Sequence, residues 1–240
     1  MTFAGKRVLL TGDSHMDWSP FGSKLEELLR SSGATVVRRA IGGSSAKQWA
    51  SGRQVCRTIN GVKLCYAAED LRLAGPFDLA IVSLGTNDAA NASAANADRT
   101  RSAEKAADDV EKFMQLVGVQ NFVVVGPPTL LDRIAHYTNA NMTPLVDVFS
   151  RRFGSRYIDS RSVPHVDGDS VHMGRKGGAA WAQLVFDRVS SGSPELPTAS
   201  SAGGSQGLAD TASSDNTNLF IALGLSAIAV LILLKRKKKR

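Results

Sequence analysis

Residues 78–88 read DLAIVSLGTND, an apolar run that ends in a short polar block. Such a run is typical of a central strand in a parallel sheet, because helices cover both faces of that strand. In folds built on parallel sheets, ligands bind in loops at the carboxyl ends of the strands. The block Gly85-Thr86-Asn87-Asp88 stands at such a position and is therefore a candidate functional segment.

Strand patterns alternate with helix patterns on both sides of this stretch. Short apolar runs predict further strands, and apolar residues at helical spacing predict helices between them. The predicted strands are 6–11, 34–41, 122–125 and 156–158, and the predicted helices are 23–32, 67–73, 99–117, 144–153 and 176–189. This alternation predicts an α/β fold, a three-layer doubly wound parallel sheet with helices on both faces.

Three more polar blocks follow predicted strands. They are GDS at 12–14, IGGS at 41–44 and DSVH at 169–172. An aspartate three residues before a histidine can hold the imidazole by one ring nitrogen while the other nitrogen faces a nucleophile. Asp169 and His172 have this spacing, and Ser14 is the candidate nucleophile.

In their order, these four blocks resemble those of the SGNH (GDSL-type) hydrolase superfamily. The resemblance covers about residues 6–189 and implies a flavodoxin-like SGNH hydrolase fold and carboxylic ester hydrolysis. By the same resemblance, Ser14 is the nucleophile, His172 is the general base and later the general acid, and Asp169 orients the imidazole.

The resemblance also implies an oxyanion hole made of the Ser14 N–H, the Gly43 N–H and the side-chain amide of Asn87. Gly42 competes with Gly43 for the second role. Gly43 is preferred because the family usually has small hydroxyl residues just after this glycine, as Ser44-Ser45 stand here.

Two departures from the family pattern limit the match. Residues 38–40 are Arg-Arg-Ala where many relatives have an asparagine, and Met173 follows His172 where proline is frequent. Neither departure removes a reacting group.

The remaining histidines are expected to be bystanders. His165 and Asp167 lie near the last block but lack the family spacing, and His15 and His136 stand apart from it. No cluster of His, Cys and Asp outside that block has metal-ligand spacing, so neither a metal nor another cofactor is predicted.

The two cysteines flank an Asn60-Gly61 pair symmetrically. Asn-Gly favours a two-residue hairpin turn, which would pair Cys56 with Cys65 at a position where side chains approach closely. A cross-strand disulfide is therefore predicted, and two reduced cysteines in an ordinary hairpin are the alternative. A disulfide would imply an oxidising compartment and an exported domain.

Charge is concentrated at the C-terminus. The net charge is +7, and six positive charges belong to residues 235–240, so the rest of the chain is nearly neutral. Nucleic-acid binding is not expected, because no basic face is indicated. At the N-terminus only Val8-Leu9-Leu10 follows Lys6-Arg7, which is too short for a signal-peptide core.

The composition divides the chain into four parts. Residues 1–189 form the predicted hydrolase domain, 190–218 a flexible Ser/Gly/Ala/Pro linker, 219–234 a transmembrane helix and 235–240 a basic tail. An exposed or core helix is the alternative for 219–234. The positive-inside rule places the tail in the cytoplasm and the catalytic domain outside, or on a virion surface, although no signal peptide explains its export.

Together these features predict a membrane-anchored serine esterase that removes acetyl or other short acyl groups, with an acylated envelope carbohydrate as the first choice of substrate. A lipase or thioesterase acting at the membrane is the second possibility. A catalytically silent carbohydrate-binding module is the third. The sequence does not indicate an oligomeric state.

Overall fold

A computed structural model describes residues 2–192, and these residues form an α/β domain around a parallel sheet. The strands of the sheet, in spatial order, are β2 (Thr35–Ala40), β1 (Arg7–Gly12), β5 (Leu79–Ser83), β6 (Phe122–Val125) and β7 (Tyr157–Ile158). Every neighbouring pair is parallel. All residues of β5 and β6 are buried, as expected for central strands with helices on both faces.

Eight helices accompany the strands in this part of the chain. They are α1 (Ser14–Asp17), α2 (Pro20–Ser31), α3 (Ala46–Ala50), α4 (Ala68–Ala74), α5 (Thr86–Ala94), α6 (Arg99–Val117), α7 (Asn139–Phe153) and α8 (Arg175–Ser190). A 3₁₀ turn, Gly154–Arg156, leads into β7.

Two separate hydrophobic clusters cover the two faces of the sheet. On one face α3 packs on α6, where the rings of Trp49 and Phe113 stack at 4.9 Å. On the other face α2 packs on α8, where Phe21 and Trp181 stack at 3.9 Å. The predicted three-layer arrangement with a parallel sheet is therefore confirmed.

The predicted strands agree with the observed ones to within one or two residues. Among the helices, α6 has the predicted bounds because Asp98 caps its start and Gly118, at φ 78°, ends it. Two helix starts were predicted too late. Ser19 caps α2, so that helix begins at Pro20, and Thr138 caps α7, so Pro144 lies inside that helix.

Three short helices, α1, α3 and α5, were not predicted. Each begins within or just after one of the polar blocks and has too few residues to show apolar periodicity. They matter for the site, because α1 and α5 carry Ser14 and Asn87.

A two-stranded antiparallel hairpin, β3 (Val55–Ile59) and β4 (Val62–Tyr66), stands apart from the main sheet. Its register places Cys56 opposite Cys65, as the Asn-Gly turn predicts. The structure joins these two residues in a disulfide.

The predicted transmembrane segment 219–234 and the basic tail 235–240 lie outside the described residues, as does all of the predicted linker 190–218 beyond residue 192. Within residues 2–192, no helix combines the length and the apolar character needed to cross a membrane.

Candidate active site

The four polar blocks meet at the carboxyl ends of the parallel strands. The first follows β1, the second β2, the third β5, and the last lies on the loop after β7. The first block passes very close to β5, since a Cβ on Gly12 would lie 2.2 Å from the Ser83 carbonyl oxygen. The Asp13 N–H donates to the same oxygen at 3.0 Å. Glycine is therefore required where the chain turns from β1 into α1.

Ser14 is the first residue of α1 and is partly exposed. Its hydroxyl oxygen lies 2.8 Å from Nε2 of His172, 158 residues later in the chain. Nδ1 of His172 lies 2.9 Å from Oδ2 of Asp169. Because a carboxylate can only accept a hydrogen bond, Nδ1 carries the proton, and Nε2 is free to accept the Ser14 hydroxyl proton.

Asp169 is held by the turn that it begins. Its Oδ1 accepts the backbone N–H groups of Val171 and His172, each at 2.7 Å. Burial alone would raise the pKa of Asp169, but the hydrogen bonds from the backbone and ring of His172 and from Val171 lower it to about 2. The carboxylate therefore stays charged beside the imidazole at neutral pH.

Two fully buried ionisable groups, Asp13 and His15, flank Ser14 in the chain. Asp13 accepts the His15 N–H at Oδ1, while its Oδ2 has no hydrogen-bond partner among residues 2–192. Burial, together with the nearby carboxyls of Asp88 and Asp17, raises the pKa of Asp13 to about 8. Burial, together with His172, lowers the pKa of His15 to about 3. Both groups are therefore mainly uncharged at neutral pH.

The second block offers two candidate N–H donors, and the structure distinguishes them. The Gly42 N–H already donates to Oδ2 of Asp17 at 2.8 Å. The Gly43 N–H has no partner in residues 2–192, and Gly43 lines the same cavity as Ser14. This geometry favours Gly43 over Gly42 as an oxyanion donor.

Asn87 is buried at the start of α5 between two partners. Its Nδ2 donates to the Ser44 carbonyl oxygen at 2.8 Å. Its Oδ1 accepts the Tyr137 hydroxyl at 2.7 Å. Tyr137 was not predicted from the sequence, and nothing in the surrounding segment 133–138 marks it as a site residue.

Asp17 is a second residue that the sequence did not single out. Besides the Gly42 N–H, it binds Arg57 of the disulfide hairpin, whose Nε lies 2.7 Å from Asp17 Oδ2. The hairpin is thereby connected to the glycine loop of the second block.

These side chains surround a cavity of about 330 Å³ with a mainly apolar lining. Its lining residues are Ser14, Trp18, Gly43, Thr86, Asn87, Ile134, Tyr137, Val171 and His172. In the part of the chain that the structure describes, no carboxylate, lysine or arginine lines it. The indole of Trp18 is 49% exposed and its ring centre lies 4.2 Å from that of His172. The cavity thus fits a small uncharged group beside a half-exposed aromatic surface.

The histidines expected to be bystanders have other contacts. His165 Nδ1 lies 3.0 Å from the Thr129 carbonyl oxygen, and His136 Nδ1 lies 3.2 Å from the Ser93 hydroxyl. Asp167 accepts two backbone N–H groups from the first turn of α8. Across residues 2–192, no three His, Cys, Asp or Glu side chains are arranged to hold a metal ion.

Comparison with known proteins finds relatives by structure only. No protein-family model matches the chain, and no curated protein matches it significantly. A proposed arylesterase from Agrobacterium tumefaciens strain C58 superposes with a TM-score of 0.54 at 22% identity, covering 78% of this chain and 99% of that one. An acetylxylan esterase from Geobacillus stearothermophilus gives 0.55 at 14% identity, covering 79% and 96%.

A third similar structure is a proposed SGNH hydrolase from Slackia heliotrinireducens, with a TM-score of 0.50 at 17% identity over 77% of this chain and 98% of that one. At such low identities the likeness shows the fold alone. The chain therefore has the fold of the SGNH hydrolases.

Proposed function

We propose that this chain is a serine esterase that removes acetyl or other short acyl groups from an acylated carbohydrate. One observation carries the proposal. The Ser14 hydroxyl lies 2.8 Å from a histidine whose other ring nitrogen is 2.9 Å from a carboxylate. A serine hydroxyl becomes a nucleophile at neutral pH when such a base accepts its proton.

In the proposed reaction, His172 takes the Ser14 proton as the oxygen attacks the ester carbonyl. Asp169 holds the required tautomer and stabilises the imidazolium that forms. His172 then gives this proton to the leaving alcohol, and water attacks the acyl-Ser14 ester by the same route. Both half-reactions pass through a tetrahedral oxyanion.

Three donors can stabilise that oxyanion. The N–H groups of Ser14 and Gly43 have no protein partner within the domain described, and both residues line the cavity. Asn87 has two Nδ2 hydrogens, and the Ser44 carbonyl takes one of them. The other remains for the oxyanion.

The cavity supports a short acyl group and a sugar leaving group. Its volume of about 330 Å³ is at the low end for ligand pockets. Trp18 lies against His172, the group that protonates the leaving oxygen, and its exposed ring offers a flat surface for a sugar ring. The structural neighbour described as an acetylxylan esterase acts on a substrate of this class.

The proposal includes a location. Residues 219–234 anchor the enzyme in a membrane, residues 235–240 lie in the cytoplasm, and the catalytic domain faces outward or lies on a virion surface. The Cys56–Cys65 disulfide supports an oxidising environment. Protease added to intact cells or particles should then cut within 190–218 and release active enzyme. Full protection until the membrane is broken would contradict this orientation.

A fluorophosphonate probe tests the nucleophile. The wild-type chain should be labelled covalently, and Ser14→Ala should lose labelling and nearly all ester turnover while keeping its thermal unfolding temperature. Ser162→Ala, at an exposed serine outside the cavity, should behave as wild type. Equal labelling of wild type and Ser14→Ala would remove Ser14 from this role. Glycan binding without any labelling would indicate a silent carbohydrate-binding module.

The acyl group is tested with p-nitrophenyl esters from acetyl to octanoyl, together with acetate release from acetylated glycans. The value of kcat/KM should fall beyond butyryl because the cavity is small. A rise with chain length would indicate a lipase or thioesterase instead.

A further inference from the structure

Tyr137 lies on the segment 126–138 between β6 and α7, 50 residues from Asn87 in the chain. Its hydroxyl contacts Oδ1 of Asn87, whereas the Ser44 carbonyl contacts Nδ2. The ring is half-buried and packs against the cluster that covers α6 and α7. Tyr137 therefore contacts a candidate oxyanion donor and can influence how that amide is oriented.

The hydrogen bonds around Asn87 permit only one orientation of its amide. A carbonyl oxygen such as that of Ser44 can only accept, so the atom facing it must be Nδ2. Oδ1 then faces Tyr137, whose hydroxyl donates. A flipped amide would place two acceptors together at Ser44.

Without the Tyr137 hydroxyl, Oδ1 of Asn87 would have no hydrogen-bond partner within residues 2–192 and would be left unpaired in a buried position, since Asn87 is only 7% exposed. An unsatisfied buried acceptor favours rotation of the side chain toward water. A donor on Oδ1 also polarises the amide, which makes the Nδ2 hydrogens stronger donors. Both effects act on the hydrogen that is proposed to face the oxyanion.

We propose that Tyr137 is a positioning residue for the oxyanion hole, holding the Asn87 amide so that Nδ2 faces the reacting carbonyl. This inference rests on the proposed esterase function. Tyr137 itself acts through Asn87 and bonds to no reacting atom.

The segment around Tyr137 is built to hold the hydroxyl in place. The Tyr137 N–H donates to the Ile134 carbonyl oxygen at 3.1 Å, closing a tight turn. At the base of the segment, the Asn139 side chain donates to the Leu130 carbonyl and accepts the Leu130 N–H. Burial raises the pKa of the Tyr137 hydroxyl above its ordinary value, so it remains a donor at neutral and mildly alkaline pH.

The test is Tyr137→Phe, which keeps the ring and removes only the hydroxyl. We expect kcat to fall about 10- to 100-fold, the range for leaving a buried acceptor unpaired, with KM changed less than about 3-fold. Fluorophosphonate labelling at Ser14 should slow, since it also uses the oxyanion hole. The matched control is Ile134→Ala, which changes the same segment and cavity but removes no hydrogen bond to Asn87.

A double-mutant cycle separates positioning from general damage. In an Asn87→Ala background, Tyr137→Phe should lower kcat by less than about 2-fold, because there is no amide left to orient. Ile134→Ala should have the same effect in both backgrounds. A full additional loss from Tyr137→Phe in the Asn87→Ala background would overturn the inference, as would an unchanged kcat in the single variant.

A second measurement does not depend on activity. In NMR spectra, Tyr137→Phe should shift the Asn87 side-chain amide protons and speed their exchange with water. Unchanged amide signals would contradict the positioning role even if the chain hydrolyses no ester. Failure of the proposed function appears differently, as absent labelling and turnover in the wild type.

Discussion

The segments 12–18 and 126–138 both line the cavity, but different interactions hold them. Segment 12–18 is bonded to the sheet through its backbone, with Asp13 N–H on the Ser83 carbonyl and Ile41 N–H on the Gly12 carbonyl, each at 3.0 Å. Segment 126–138 is bonded through its backbone at Gly126, whose N–H donates to the Ile158 carbonyl, and at Leu131, whose N–H donates to the Ser170 carbonyl. Its second half is held in addition by the side chain of Asn139 at its base.

Burial differs in the same direction. Asp13, His15 and Met16 are fully buried and only Trp18, at the end of segment 12–18, is exposed, whereas residues 132–136 are all exposed. Ser14 thus lies between fully buried residues, and Asn87 receives one of its two partners from a more exposed segment. The predictions below test this contrast between segment 12–18 and segment 126–138.

The largest expected effect concerns the charged partner of His172. Asp169→Asn should lower kcat by about 10⁴-fold, because an amide no longer selects the tautomer in which Nε2 accepts the Ser14 proton. Steady-state kinetics with a short-chain ester measures this loss.

Asp167→Asn is the matched control, since Asp167 only caps α8. It should lower the stability only modestly and leave kcat within about 2-fold. Equal losses in both variants would contradict the assignment of Asp169.

Asn87→Ala should lower kcat by about 10²- to 10³-fold with little change in KM, because its amide contributes mainly in the transition state. Asn91→Ala, on an exposed position of the same helix, should retain wild-type kinetics. If Asn87→Ala leaves the turnover number unchanged, the Asn87 amide does not belong to the oxyanion hole. Its contact with Tyr137 would then have no role in catalysis.

The buried carboxyl of Asp13 should make stability depend on pH. In the native state the pKa of Asp13 is about 8, so the carboxyl keeps its proton until the pH approaches that value. In the unfolded chain its pKa is 3.8, and the proton is lost at much lower pH. The native state therefore binds more protons between these values, and the free energy of unfolding falls as pH rises. Relative to Asp13→Asn, which cannot titrate, the wild type should lose about 3 kcal/mol between pH 5 and pH 7.

The free energies of unfolding of both proteins, measured with denaturant at pH 5 and pH 7, give this difference. The contributions of His15 and all other titrating groups cancel, because both proteins contain them. Parallel pH profiles would show that Asp13 is charged in the native state. Segment 12–18 would then contain a buried charge, and its stability would need another explanation.

The smallest effect is expected at the base of segment 126–138. Asn139→Ala removes the side-chain bonds to Leu130 and Asp132 and should lower kcat about 3- to 10-fold, because Tyr137 is then held less firmly. Hydrogen exchange should become faster in 130–138 and stay unchanged in 12–18. Thr143→Ala, one turn further along α7, is the control. Faster exchange in both segments would show that they form a single cooperative unit.

Local sequence patterns predict much of the fold. The apolar runs of β5 and β6 indicate central strands, and the Asn60-Gly61 pair predicts the pairing of Cys56 with Cys65. The bounds of α6 follow from its apolar periodicity together with its capping residues. In each of these cases the deciding interactions lie within a few residues of one another, so the sequence displays them directly.

Other elements could not be predicted in this way. The helices α1 and α5 are too short to show a period, and Pro144, the predicted start of α7, lies inside that helix. The Ser19-Pro20 pair is a local signal for the start of α2 that was overlooked. The start of α7 is therefore known from the structure, whereas the start of α2 is already indicated by a capping pattern in the sequence.

By itself, the sequence determined the α/β class, the order of the strands along the chain and the identity of Ser14, Asn87, Asp169 and His172 as candidates. Only the tertiary structure decided which groups partner them. It brought Tyr137 to Asn87 and Asp17 to Gly42, and so distinguished Gly43 from its neighbour. The physical reason is range: backbone propensity acts over a few residues, whereas hydrogen bonds between groups 25 and 50 residues apart form only after the sheet has brought the loops together.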